Sequence, residues 1–487
     1  MRVTLTIPPY SFKETYPKFM FRSKKIGGGY GAIPGATAPL GTLYIASVLR
    51  EEGHKISFID GVFYPDENRW LEEIEKTKPE FIGFNSPTIL WKKTKYLSKK
   101  LKERISGVKI GVAGSHVTGV GPKALKEENT NAIDFLFLGE SEYAVRDFLN
   151  YLENETLSKA DTDLPSWDLA DIWKVVTVCW KEKSKIRMLK KTKPPQNLDE
   201  LPLPARDISP MKRYCPSIGF YKRKPHATMW TSRGCPFNCT FCTSKRIYRE
   251  RNLNLVLDEI KELVERYKVR DIFFYDNNIA LKRKRIEKLC KLLIEENLDI
   301  VWSAQSRLHT INLKILRLMK KAGCWRICYG IETPSKKSLQ KIKKKINIDL
   351  TKTKIKQTRE AGIEVFGAFV LGVPGETIED IKKTINYAYT LPLDYAKFNL
   401  FTPFPDSRCK ITSSEGKIIS NKMTHHHPVF ISKGLTKEKM EEIFREAYLK
   451  FYSNPRYWLR RIKKIKSIED IKRTFRGSIA FLTKIKS

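Results

Sequence analysis

The chain has 487 residues, 41% of them hydrophobic, and carries 91 Lys and Arg against 54 Asp and Glu, a net charge of +37. That apolar content excludes global disorder, and the length allows roughly two to four domains. Nine scattered cysteines exclude a disulfide scaffold, and no run of about 18 apolar residues is present to span a membrane.

The opening stretch MRVTLTIPPYSFKET is strand-like and soon polar. It lacks the basic end and apolar run of a secretory signal, so a cytoplasmic, reducing setting is expected. Through residues 1–150, RVTLTI, KISFID, FIGFNS, KIGVAG and FLFLGE read as strands. LGTLYIASVLREEG, NRWLEEIEKT, TKYLSKKLKERI, PKALKEE and EYAVRDFLNYL read as the helices that follow them. In the first helix Leu40, Leu43, Tyr44, Ala46, Val48 and Leu49 share one side, and Gly53 is its stop. Strands alternating with helices predict an α/β, doubly wound, Rossmann-like parallel sheet whose strand ends carry the ligand crevice. Residues 151–215 turn rich in Pro and charge and read as a linker with a few short strands or helices.

Alternation returns at 216–410. ATMWTSRG, DIFFYD, VWSAQS, RICYGIE, EVFGAFVLG and YAKFNLFTPF read as strands, with helical stretches between them. This predicts a partial or full parallel (β/α) barrel with functional residues at the C-terminal strand ends. Residues 411–487 read as a basic, helical C-terminal region. From 456 onward it holds eleven Lys and Arg against two Asp and Glu, with Tyr457, Trp458, Leu459, Ile462 and Ile465 interleaved. The overall charge favours an anionic partner such as nucleic acid, a phospholipid surface or a phosphorylated substrate; Lys-rich solvated helix faces explain it equally well.

The segment TSRGCPFNCTFCTSKR places Cys235, Cys239 and Cys242 in one loop. Loop thiolates hold zinc or iron–sulfur. A structural zinc site takes four ligands, which Cys215 and His226 could complete. A redox pair leaves the third cysteine unexplained, and core thiols would not sit among Arg233, Gly234, Pro236 and Asn238. Cys290, Cys324, Cys328 and Cys409 are expected in the core, as free cysteines usually are, although CWRIC could mark a second cluster.

The spacing C-x3-C-x2-C after the first barrel strand resembles the radical S-adenosylmethionine enzymes over about residues 225–405. The resemblance implies a 4Fe–4S cluster on Cys235, Cys239 and Cys242, with the open iron binding S-adenosylmethionine. An external one-electron reductant then drives formation of a 5′-deoxyadenosyl radical that abstracts hydrogen from an unactivated carbon. It further implies cofactor contacts at Phe241 beside the adenine, Asp276 and Asn277 in FFYDNN, Gln305 and Arg307 in WSAQSR, Glu332 in YGIET, and Gly372 in FVLGVPGET. There Gly372 and Gly375 would let backbone approach the adenosyl group.

APLGTLYIASVLREEGHKISFID, GVAGSHVTGVGPKAL and IDFLFLGESEYAVRDFL resemble the cobalamin-binding domain fused to one radical-SAM subclass. No D-x-H-x-x-G loop is present, which implies a cobalt without a protein lower ligand. Ser86, Thr88, Gly114 and Gly139 would line the crevice for the nucleotide tail, and His116 is a candidate contact. Glu140 and Glu142 face the cofactor or cap the last helix. EEIFREAYLKFYSNPRYWLRRIKKIK resembles the C-terminal segment of a branch acting on hopanoids and other membrane lipids, which implies a peripheral contact with anionic membrane. A helix closing the open side of the barrel is the other reading. RNA modification would also use the charge, but no RNA-binding motif is recognisable.

The expected activity is cobalamin-dependent C-methylation of a lipid or small metabolite. The alternatives are a radical cyclase or bond-forming enzyme on a lipid or tetrapyrrole, and a zinc-bearing nucleic-acid binder.

Overall fold

The alternating apolar runs of the N-terminal half build an open sheet with helices on its faces. The protein is seen here in a computed structural model that describes residues 1–10, 33–34, 36–153, 176–182, 185–216, 220–244, 246–420, 423–465 and 471. Two units are distinguished: one of Met1–Phe12, Ala38–Met211 and Phe404–Ser407, and one of the rest of the chain.

In the first unit, β1 (Arg2–Ile7), α1 (Leu40–Glu51), β2 (Lys55–Asp60), α2 (Glu67–Lys76), β3 (Phe81–Asn85), α3 (Trp91–Arg104) and β4 (Lys109–Ala113) follow the expected order. A short α4 (Ser115–Val120), β5 (Phe135–Leu138) and α5 (Glu142–Glu153) come next. The helix expected at PKALKEE is only a 3-10 stretch, Gly121–Lys126; the left-handed Gly121 (φ +73°) ends α4 before it. The strand order is β2-β1-β3-β4-β5, all parallel. The order reverses between β1 and β3, which is where such sheets open a ligand crevice.

The segment 151–215 is more than the expected linker. Its residues Val176–Glu182 (β6) and Lys185–Thr192 (β7) form an antiparallel hairpin that extends the sheet beyond β5. The run VTVCW is strongly β-forming, and Cys179, Ile186 and Met188 join the apolar core formed around Trp70, Ile82 and Leu136. Charges at Lys181, Glu182 and Lys185 hid that pattern in the sequence.

The second unit is a six-stranded parallel sheet curved into a partial barrel. Its strands are β8 (His226–Met229), β9 (Asp271–Phe274), β10 (Val301–Ser306), β11 (Cys324–Glu332), β12 (Glu364–Leu371) and β13 (Tyr395–Leu400), paired in chain order. Helices α6 (Leu253–Glu265), α7 (Arg283–Glu295), α8 (Leu313–Lys321), α9 (Lys336–Lys341), α10 (Thr351–Glu360) and α11 (Ile378–Thr390) connect them. Each packs an apolar stripe on the sheet, as Val256, Ile260 and Leu263 do in α6. Helix α11 starts with a reciprocal capping box between Thr377 and Asp380.

The C-terminal region is not helical from 411. A small hairpin, β14 (Gly416–Ile418) with β15 (Phe430–Ser432), precedes α12 (Lys437–Tyr452) and α13 (Pro455–Ile462). Helix α12 lies on the edge strand β13. The Tyr448 hydroxyl donates to the Phe398 carbonyl (3.0 Å) and accepts from its N–H (3.3 Å). The Tyr452 hydroxyl does the same at Ala396, at 2.9 and 3.3 Å. One turn apart on the helix, these phenols satisfy backbone groups that an edge strand otherwise leaves open. In α13 Tyr457 and Arg461 are buried. Arg461 lies 3.4 Å from Glu364, and Lys464 just beyond lies 2.7 Å from the buried Asp394. Residues 466–470 and 472–487 of the basic tail lie outside the described residues.

Candidate active site

The cysteine loop is held at its base before any cofactor is considered. The strand expected over ATMWTSRG breaks after Met229. Ser232–Arg233 instead pairs antiparallel with Arg249–Glu250 and closes the loop. Asp276, at the end of β9, fixes the same point: its buried carboxylate accepts from Thr231 N (2.8 Å), Thr231 Oγ1 (2.6 Å) and Ser232 Oγ (2.5 Å). Burial pushes its pKa up, against the pull of these donors. Asp276 therefore does not line the cavity; the neighbouring Asn277 does.

The interior of the barrel is a cavity of about 560 Å³, within the range of ligand sites. Cys235, Cys239, Cys242 and Phe241 line it with Asn277, Gln305, Arg307 and Glu332. Eight expected residues from four separate stretches of sequence are thus gathered on one cavity. The three sulfurs share its wall without converging on a single coordination point among the described residues. Burial raises the Cys235 thiol, partly offset by the Arg307 and Lys344 cations. Arg307 Nη1 lies 3.4 Å from Cys239 Sγ, its guanidinium sits 3.9 Å from the Phe237 ring centroid, and Nη2 donates to Lys345 O at 2.6 Å. Glu332 accepts from Lys344 Nζ at 2.8 Å and adopts φ +64°, a strained conformation for a residue with a Cβ. The donor set fits an iron–sulfur cluster: three thiols of one loop face a cavity whose cations offset the negative charge of thiolate ligation.

Gly372 does not reach the cavity. It is left-handed (φ +77°), and a Cβ there would meet Met440 Cε of α12 at 2.8 Å, so its missing side chain makes room for the helix. Glu376 folds back onto this turn, accepting from Gly372 N (2.9 Å) and Val373 N (3.0 Å), and burial pushes its carboxyl up to about 7.

Cys290 and Cys324 are core thiols, and Cys409 packs beside Phe401 and Phe430. Cys328, also expected in the core, instead faces the cavity, as do Lys344, Lys397 and His425, which the sequence reading passed over. The two-residue alternation Cys328, Gly330, Glu332 and Lys397, Asn399 is the signal that could have found them. For the zinc alternative, His226 is a cavity-lining residue 3.8 Å from Asp271, while the Cys215 side chain lies outside the described residues.

In the first unit, Ser86, Thr88, Gly114 and Gly139 fall at the C-terminal ends of β3, β4 and β5, along the switch-point side of the sheet. Ser86 N donates to Ala113 O (2.8 Å), and a Cβ on Gly114 (φ +121°) would lie 2.7 Å from Ser86 O. The two strand ends are thus in backbone contact. Gly139 N donates to Thr118 Oγ1 at 3.1 Å. His116 is turned inward: its ring stacks on Trp91 at 4.7 Å and Nε2 lies 3.6 Å from Glu127 Oε1. Glu127 also accepts from Trp91 Nε1 (2.6 Å) and Lys95 Nζ (3.1 Å); against burial, His116, Trp91 and Lys95 together hold its carboxyl down at about 2. These strand ends lie where doubly wound sheets take a ligand, and His116 is a packing residue against Trp91.

Residues 230–388 match the radical SAM superfamily and residues 30–149 the B12 binding domain. Over 440 residues the chain is 30% identical to an uncharacterised methyltransferase of Pyrococcus horikoshii, covering 87% of this chain and 90% of that protein. Over 398 residues it is 25% identical to the anaerobic magnesium-protoporphyrin IX monomethyl ester cyclase of Rubrivivax gelatinosus, covering 80% and 69%. Its fold is similar to that of the radical S-adenosylmethionine methyltransferase TsrM from Kitasatospora setae, solved with cobalamin and a [4Fe–4S] cluster bound. The TM-score is 0.68 at 14% identity, over 100% of this chain and 99% of that one. With a relative of this identity along most of its length, and both domains matched in order, the chain belongs to the cobalamin-binding radical S-adenosylmethionine enzymes, whose cofactors are a 4Fe–4S cluster, S-adenosylmethionine and cobalamin.

Proposed function

We propose that the protein is a cobalamin-dependent methyltransferase that methylates an unactivated carbon of a small molecule. The observation that carries this reading is the methyltransferase relative matched across both units, the thiol-lined barrel and the switch-point sheet. When bound, the cluster supplies the electron that cleaves S-adenosylmethionine, and cobalamin supplies the methyl carrier.

The residues of the chain provide the setting. Cys235, Cys239 and Cys242 hold the cluster, and Arg307 sets a positive charge beside Cys239. Glu332, steadied by Lys344, offers a carboxylate for an amino or hydroxyl group, while Phe241 and Val370 give the cavity an apolar wall that excludes water. At the first sheet, Ser86, Thr88, Gly114 and Gly139 bind the cofactor tail.

The test is anaerobic reconstitution of the full chain with iron, sulfide and cobalamin, followed by reaction with methyl-labelled S-adenosylmethionine, reductant and a metabolite extract. Mass spectrometry finding label in a carbon-methylated product supports the reading. Deoxyadenosine release without label transfer favours a cyclase or bond-forming reaction, a second reading supported by the Rubrivivax relative. A reconstituted cluster with no cleavage rejects both.

A peripheral contact of the tail with anionic membrane is supported by Leu459 and Ile462, 61% and 54% exposed beside the exposed Arg456 and Lys463. Equal flotation on anionic liposomes with and without residues 456–487 would dismiss it.

A further inference from the structure

Lys397 is the third residue of β13, so its Cα stands roughly 10 Å down the strand from the C-terminal end of β13. Its side chain faces the cavity, as do those of Asn399, Cys328 and His425. Register sets Lys397 against Ala368 of β12, a small side chain that leaves the space before the amine open. β13 and β8, the strand that leads into the cysteine loop, are the two edges of the sheet, and both face the one cavity.

Arg307 and Lys344 are answered by the cysteine loop and by Glu332, whereas Lys397 is not. Arg307, Lys344 and Lys397 line the cavity, against Glu332 as the one carboxylate among the described lining residues. Glu332 pairs with Lys344, and Arg307 is held by Lys345 O beside Cys239. Lys397 has no hydrogen bond or ion pair to another described residue. His425 adds no further positive charge, since burial and the Lys397 cation hold it down at about 4 and so neutral. Desolvation lowers the amine itself from its ordinary 10.5, opposed only by the neighbouring Cys328. A desolvated amine without a partner is costly in a folded protein unless a ligand completes it. Two residues on, Asn399 spends its amide N–H on Phe369 O, and its Oδ1 is likewise without a partner.

We infer that Lys397 anchors the anionic group of the substrate, so that the molecule methylated is an acid, a carboxylate or a phosphate, bound from the β13 side of the barrel. This deepens the methyltransfer reading and rests on it for the word substrate. The anion site itself does not depend on that reading.

The experiment has two arms. In the first, full-length protein reconstituted with its cluster is treated with formaldehyde and cyanoborohydride at pH 8, and methylation of Lys397 is read by peptide mass spectrometry. Inorganic phosphate and acetate are compared with chloride at matched ionic strength. The expected result is protection of Lys397 by one of the two, phosphate marking a phosphate site and acetate a carboxylate site, with the exposed Lys352 unaffected. Equal labelling in all three salts overturns the anion site. In the second arm, methyl-labelled S-adenosylmethionine is turned over with a metabolite extract divided by anion exchange. Wild type is expected to label the acidic fraction. Lys397→Met is expected to lose that product by about tenfold or more, the scale for one charged hydrogen-bond partner, and Lys397→Arg to recover part of it. Cleavage of S-adenosylmethionine without substrate should stay at the wild-type rate in both variants. Product in the neutral fraction, or equal loss of that cleavage in Lys397→Met, overturns the assignment. Protection of Lys397 with no labelled product in wild type counts against methyl transfer and leaves the anion site standing.

Discussion

The guanidinium of Arg307 lies 3.4 Å from the sulfur of Cys239 and stacks on Phe237, so a fixed positive charge sits against one of the three loop thiols. A cation beside an anionic cluster favours the state with the extra electron. Arg307→Met is therefore expected to lower the reduction potential of the reconstituted cluster, and Arg307→Lys to restore part of the shift. Redox titration followed by electron paramagnetic resonance, without S-adenosylmethionine, reads this. An unchanged potential would reduce Arg307 to a mechanical support of the loop through Lys345.

Replacing any of Cys235, Cys239 or Cys242 with Ala is expected to abolish the 4Fe–4S signal and deoxyadenosine formation while leaving the far-ultraviolet circular dichroism intact. Cys290→Ala and Cys409→Ala should retain the cluster. Iron and sulfide analysis after reconstitution separates the two groups.

Asp276 acts on the same loop from behind. Asp276→Ala strips the Thr231 N–H of its buried acceptor, at a cost of about 1–3 kcal/mol. The expected outcome is a lower melting temperature in the apo protein together with reduced iron incorporation. A variant that melts normally yet fails to bind S-adenosylmethionine would make Asp276 a cofactor contact after all.

Glu376 gives the second unit a pH dependence with a definite sign. Its folded value near 7 lies above the ordinary 4.5, so the native state holds a proton that the unfolded chain releases between those values. Stability therefore falls as pH rises from about 4.5 to about 7 and is flat above that. Glu376→Gln keeps an acceptor for Gly372 N and Val373 N and removes the titration. Urea unfolding should show the variant equal to wild type near pH 4.5 and more stable at pH 8.

Gly114→Ala forces a Cβ against Ser86 O at a left-handed φ, and the backbone strain alone is worth about 1–3 kcal/mol. Visible-absorption titration should show weaker cobalamin binding by the full-length variant, with the cluster on the barrel unaffected. Undiminished cobalamin affinity would separate this strand junction from the cofactor crevice.

The strands and helices of both sheets were readable because parallel strands covered on both faces are near-continuous apolar runs, and the helices between them carry one apolar stripe each. The 176–192 hairpin was read only as short elements within a linker, because charged residues break its pattern. At the site, the cysteine spacing and the family resemblance it carries pointed to the loop and to Gln305, Arg307 and Glu332, which the structure gathers on one cavity. Asp276, Gly372 and His116 were expected as cofactor contacts; in the structure each spends its polar group or its missing side chain on a neighbouring segment. Whether a side chain turns toward the cavity or the scaffold depends on tertiary partners such as Thr231, Met440 and Trp91, which sequence spacing does not reveal. Lys397 and Cys328 were missed because they lie inside strands rather than at their ends.

The two phenols on β13 also set an order of events. Tyr448 and Tyr452 leave the ribosome after all six barrel strands, so the nascent barrel carries an unsealed edge until α12 is made. During that interval Ala396 and Phe398 offer open donors and acceptors to any extended strand nearby. A chain stopped before α12 would be born adhesive, and α12 is thus a built-in safeguard of biogenesis as well as a wall of the finished enzyme.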